Sequence, residues 1–221
     1  YRGLFPEANA AVDRVLARKP DDPNALLGRA HVMFRSGKSE QALRAYWRVF
    51  DSAAPVSAKA LALQEISSIE YHLKQYDKPA KHYFMVGSFY REAVALDTAA
   101  RIHVMQREWK KAIRAWTLLR ERHRGERLDA RVWIEAGLSE AVLRSWLGRN
   151  AEAHAILRDI VPRARGAQST AALFWLMKTS SSDAERTAWS DSLLRAWPRS
   201  FYASLARGDK SSLEMRTDDS E

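Results

Sequence analysis

Two stretches of this 221-residue chain echo each other at a spacing of 34 residues. Gly3-Leu4-Phe5-Pro6-Glu7-Ala8, followed by Val12, Val15 and Pro20, is matched by Gly37-Lys38-Ser39-Glu40-Gln41-Ala42, followed by Tyr46, Val49 and Ala54. A period of this length is one supersecondary unit, too small to bury its own apolar face, so its recurrence calls for neighbours stacked against each other. The residues say what the unit is. Gly37 suits the left-handed turn that ends a helix. Ser39 is a fair N-cap for the next helix, with Glu40 in its first turn. Ala42 is small enough to let the two helices of a pair approach closely. Tyr46 and Val49 continue an apolar stripe at i+4 and i+7.

The pattern resembles the tetratricopeptide repeat, a 34-residue helix–turn–helix unit. Leu26, Ala30, Met33, Gly37, Ala42, Tyr46 and Val49 carry the resemblance, with Pro55 one position beyond the usual proline and Arg29 standing where a large apolar residue is usual. Equivalent small residues fall at Ala80, Ala112 and Ala153, so the later spacings are irregular. The resemblance implies an all-α, right-handed superhelical solenoid of antiparallel helix hairpins over 1–208, followed by a polar acidic tail at 209–221. Helices are expected at 6–18, 23–36, 39–52, 57–74, 77–89, 91–105, 108–122, 128–147, 150–165, 168–178, 183–196 and 199–207. No strand is needed. On this phasing the chain opens on half a hairpin, so about five and a half hairpins of a longer polypeptide are expected.

Composition closes off several chemistries. With no cysteine, a disulfide framework, a zinc ribbon, an iron–sulfur cluster and a cysteine nucleophile are out. Apolar residues make up 46%, and Gly (9) and Pro (7) are scarce, which excludes low-complexity disorder. The longest uncharged apolar candidate, 82–90, is far short of a membrane span. The six histidines are scattered, with no pair one helical turn apart, so neither a metal nor a cofactor is expected. Gly37-Lys38-Ser39 lacks the glycine five positions earlier that a phosphate loop needs; Val32 stands there. No serine sits in a nucleophile-elbow sequence. The eight tryptophans are read mainly as core, with Trp47 and Trp146 the least explained by packing.

The net charge of +9 is local. Residues 99–166 carry +7 and the last thirteen carry −3. The excess centres on Arg120, Arg122, Arg124, Arg127 and Arg131, a basic patch able to attract an acidic partner.

The segment Trp197-Pro198-Arg199-Ser200-Phe201-Tyr202-Ala203-Ser204-Leu205-Ala206-Arg207 resembles the end of the helical superhelix in bacterial soluble lytic transglycosylases. In that family a catalytic domain with an essential glutamate follows. No glutamate–serine motif in a Gly-rich context occurs here, so this resemblance implies fold and a cell-envelope or periplasmic setting rather than activity.

A repeat array of this kind is expected to be a non-enzymatic scaffold or adaptor that binds a peptide or protein segment on its concave face. The resemblance puts the partner-binding positions at Asn24, Leu27, His31, Phe34 and Arg35, followed by Glu65, Ile69, His72, Asp97 and Arg101. The family's clamp for terminal carboxylates uses Lys and Asn where Leu27 and His31 stand, so that ligand is not expected. The alternative is the non-catalytic helical part of a peptidoglycan-active envelope protein. An RNA-binding solenoid, motivated by the basic 99–166 segment, ranks third, with nucleic acid not the expected partner; strict one-base-per-repeat reading is disfavoured because the spacing is irregular.

Overall fold

The computed structural model describes residues 5–75, 77–90, 92–124 and 130–208. The start of the first repeat at Gly3, Arg127 of the basic patch and the 209–221 tail lie outside the described residues. Within them the chain runs as α1 (Phe5–Arg18), α2 (Pro23–Arg35), α3 (Ser39–Asp51), α4 (Val56–His72), α5 (Asp77–Tyr90), α6 (Ala93–Met105), α7 (Trp109–Arg122), α8 (Ala130–Trp146), α9 (Asn150–Ile160), α10 (Ala167–Thr179), α11 (Asp183–Ala196) and α12 (Phe201–Arg207), with no strand among the described residues. Every expected helix is present. It divides into two compact units, one up to Ala115 and one from Trp116.

The helix ends follow from local chemistry. Asp22 caps α2 by accepting from the Ala25 N–H at 3.0 Å, and Pro23 takes the first helical place, where a missing N–H costs nothing. Ser182 and Ser200 cap α11 and α12 in the same way. Ser39 does not cap α3. Lys38 occupies the cap position without a side-chain bond, and Ser39 is the first helical residue. The expected 150–165 helix stops at Ile160. Pro162 has no N–H to offer the Arg158 carbonyl, and the chain tightens so that Arg163 and Ala164 both donate to the Ile160 carbonyl.

The repeat is clearer in space than in sequence. In four hairpins the residue after the first helix's cap has positive φ: Gly37 (78°), Lys74 (59°), Arg107 (59°) and Gly148 (77°). In each, the next N–H reaches back to a carbonyl five residues earlier, as Lys38 does to Met33 and Glu108 does to His103. Ala42, Ala80, Ala112 and Ala153 each stand fourth in the following helix, and each is buried. Unit 1 thus packs its helices in chain order, α1 on α2 through α5 on α6. Its core gathers Leu27, Ala30, Tyr46, Val49, Ile66 and Ile69. Unit 2 packs α8, α9, α10, α11 and α12 around Trp133, Leu157, Ile160, Leu176 and Leu193.

Ala42 tests this register. It is fully buried, so Ala42→Leu should overpack the α2–α3 pair and lower stability by about 1–3 kcal/mol. An unchanged melting curve would refute the phasing.

Candidate functional site

Hairpin geometry brings one face of α2 beside α1 and α4, and a groove opens there. The groove has a volume of about 380 Å³ and is walled by Val12 of α1, Leu27 and His31 of α2, and Leu61 and Glu65 of α4, with Tyr46 of α3 also lining it. The walls are almost wholly apolar, and His31 and Glu65 are the polar residues of α2 and α4 among them. Glu65 makes no ion pair among the described residues. The Tyr46 hydroxyl is buried and has no hydrogen-bond partner among them. Burial pushes its pKa well above the usual tyrosine value, and the nearby Glu65 charge adds to the rise. Tyr83 is raised too, chiefly by burial. A buried polar group left unsatisfied costs free energy.

The structure brings together three of the ten expected partner-binding residues: Leu27, His31 and Glu65. Ile69 is wholly buried in the unit 1 core and presents no surface. Phe34 is half-buried against the same core. Asn24, Arg35 and His72 are exposed. Arg101 donates to Asp97 across one helical turn at 2.7 Å, so its charge is largely answered. Sequence reasoning missed Val12 and Leu61 as groove walls. It read Tyr46 as core stripe, which is right for the ring and silent about the hydroxyl.

Three arginines of the basic patch form ion pairs within unit 2. Arg120 is mostly buried and donates to Glu140 at 2.8 Å. Arg124 pairs with Asp159 at 2.6 Å and Arg131 with Glu135 at 2.8 Å. Arg122 is exposed. Glu135, Glu140 and Asp159 are already counted in the net +7 of residues 99–166, so these pairs fix where individual arginines point and leave the net excess unchanged.

Trp47, expected to be poorly explained by packing, meets Phe50 and the His82 ring edge-on at 5.6 and 5.4 Å. Trp146 stays 73% exposed. His82 lies 2.8 Å from the buried Glu70, a packing role rather than a metal one. No group of three or more His, Cys, Asp or Glu side chains able to hold a metal occurs among the described residues. None of the described helices is long and apolar enough to cross a membrane.

No protein-family profile matches the chain, and no curated protein sequence matches it. Solved structures do. A tetratricopeptide repeat protein from Parabacteroides merdae superposes with a TM-score of 0.63 at 14% identity, over 90% of this chain and 80% of that one. YrrB, described as a TPR protein with an unusual peptide-binding site, gives 0.63 at 14% identity, over 90% and 98%. PilF from Pseudomonas aeruginosa gives 0.56 at 14%, over 95% and 91%. The fold is that of tetratricopeptide repeat proteins. In tetratricopeptide-repeat terms, α2, α4, α6 and α8 are first helices of their hairpins and α3, α5, α7 and α9 are second helices, each pair hinged on one of the four positive-φ turns.

Proposed function

We propose that the chain is a non-enzymatic interaction module that binds a segment of another protein along the concave groove of unit 1. The observation that carries this reading is the meeting of Leu27, His31 and Glu65 in one apolar groove. The apolar walls suit an aliphatic or aromatic side chain of the bound segment. Glu65 suits a nearby cation or amide donor, since a charge-assisted hydrogen bond is stronger than a neutral one. Asn24, Phe34, Arg35, His72, Asp97 and Arg101 would extend the contact along the first helices.

Selection of peptides from a random displayed library tests this directly. Enriched peptides should pair an apolar anchor with Lys or Arg. Glu65→Lys should weaken their binding by about tenfold or more, in the range seen when one partner of a desolvated charge pair is reversed. Charge reversal at Arg35 and at Arg101 should weaken it as well, since both positions extend the contact along the first helices. No enrichment, or binding indifferent to Glu65→Lys, would refute the groove.

A second reading is the non-catalytic helical part of a peptidoglycan-active envelope protein. The C-terminal aromatic staple favours it: Phe174 stacks on Tyr202 at 5.3 Å, and Phe201 meets Tyr202 at 5.5 Å. Co-sedimentation with purified peptidoglycan sacculi tests it, and a chain that stays in the supernatant counts against it.

A further inference from the structure

A second cavity lies in unit 1, away from the groove, where the α6–α7 turn meets α5. It has a volume of about 450 Å³, within the range of small-molecule sites. Lys81 and Phe84 of α5, His103 of α6, Glu108 of the turn, and Lys111 and Arg114 of α7 line it. The positive φ at Arg107 sets the turn, and the Glu108 N–H donates back to the His103 carbonyl at 2.8 Å, which fixes the carboxylate between its neighbours.

The charges in this cavity do not balance. Glu108 is the one carboxylate facing three permanent cations. It is already engaged from two sides, by Lys111 Nζ at 2.6 Å and by His103 Nδ1 at 2.6 Å. The Lys111 hydrogen bond chiefly, with help from His103 and against an opposing contribution from burial, holds its carboxyl below the usual range. One carboxylate therefore answers one lysine. Arg114 is held over the Phe84 ring at 5.5 Å, a cation–π contact that orients the guanidinium while leaving its N–H donors for another acceptor. Lys81 is exposed and makes no ion pair among the described residues.

We infer that this cavity binds a small organic anion, its carboxylate or phosphate group held between Lys81 and Arg114 and its flat apolar portion against Phe84. Two cations lining an open, partly apolar cavity supply charge-assisted donors. The Phe84 wall gives a reason to prefer an organic anion over an inorganic one. Nothing in the inference depends on the concave groove, whose residues are elsewhere.

Titration of the ¹⁵N-labelled chain with phenyl phosphate and, separately, with benzoate tests it by NMR. Amides of the α6–α7 turn, Arg107 and Glu108 among them, should shift on adding at least one of the two probes, with a dissociation constant on the order of 0.1–1 mM, ordinary for ligands this small. Inorganic phosphate should bind about tenfold more weakly or worse, and benzyl alcohol, the uncharged counterpart, should not bind. Lys81→Glu combined with Arg114→Glu should abolish the shifts; both side chains are exposed, and an unchanged amide spectrum elsewhere checks that the variant folds. Phe84→Leu should weaken the organic probes more than inorganic phosphate, which loses only the orientation of Arg114. Silence with both organic probes at 10-fold above that range, equal binding of benzyl alcohol, or shifts that survive the double charge reversal would each overturn the assignment.

Discussion

Glu140→Ala should destabilise unit 2 by about 3–5 kcal/mol, the cost of leaving buried charge without its partner. Glu140 stands on α8 with no exposed surface. It accepts from Thr117 Oγ1 at 2.7 Å, from Arg120 Nε at 2.8 Å, and from Arg144 Nε and Nη2 at 2.9 and 2.6 Å. The side chains of Arg120 and Arg144 are only 16% and 11% exposed. Water cannot fully replace the lost carboxylate for either of them. Asp159 lies 3.8 Å from Arg120, and Glu152 also pairs with Arg144, so each retains one second acceptor nearer the surface. Removing the whole network has a different expected result. Glu140→Leu combined with Arg120→Met and Arg144→Met should recover most of the loss, because well-packed apolar groups replace a desolvated ion cluster at little net cost. Urea unfolding followed by circular dichroism measures both variants. A single variant as stable as the parent, or a triple variant no better than the single one, would contradict this account of the network.

Gly87→Ala should cost about 3 kcal/mol, at the upper end of ordinary overpacking, even though alanine is the better helix former by about 1 kcal/mol. A Cβ at Gly87 would sit 2.3 Å from Leu96 Cγ and 2.9 Å from the Leu96 backbone N. The backbone atom cannot rotate away, so α5 and α6 would have to separate. Gly37 makes the contrast. A Cβ there meets nothing, and the glycine serves only its left-handed φ of 78°. The same unfolding experiment decides. A neutral or stabilising Gly87→Ala would mean that α5 and α6 do not cross this closely.

The two glycines show what a sequence can and cannot announce. Gly37 is legible, since it ends an amphipathic stretch and precedes a polar helix start. Gly87 sits inside an apolar run and looks like a weak helix residue, because its reason is Leu96, nine positions on and in another helix. Lys74 and Arg107 were hidden for the opposite cause. They adopt the left-handed turn that Gly37 and Gly148 adopt, with side chains that carry no sign of it. The hairpin connection imposes the turn, and packing on either side offsets the strain.

The candidate site was legible to the extent that it depends on helix phase. Leu27, His31 and Glu65 follow from counting along first helices, and they do line one groove. Counting by helical turns also selected Ile69, four residues after Glu65, but α4 buries it at 0% exposure. Val12 enters the groove from α1, through a crossing angle that no local pattern encodes, whereas Leu61 stands one turn before Glu65 on α4 and lies on the face that the same counting follows.

The sequence by itself determined the helical repeat: its 34-residue unit around Gly37, the small residue fourth in each second helix, and the absence of any thiol chemistry. These depend on neighbours within a turn or two of helix, where 3.6-residue periodicity and backbone preference act directly. Only the tertiary structure decided that Arg120 turns inward to Glu140, that the Tyr46 hydroxyl is left without a partner, and that Lys81, Phe84 and Arg114 share a cavity. Arg120 and Glu140 stand 20 places apart, and Arg114 stands 30 and 33 places from Phe84 and Lys81, on different helices, so the distances between them are set by how helices cross, and burial then decides which charges and hydroxyls water can still reach.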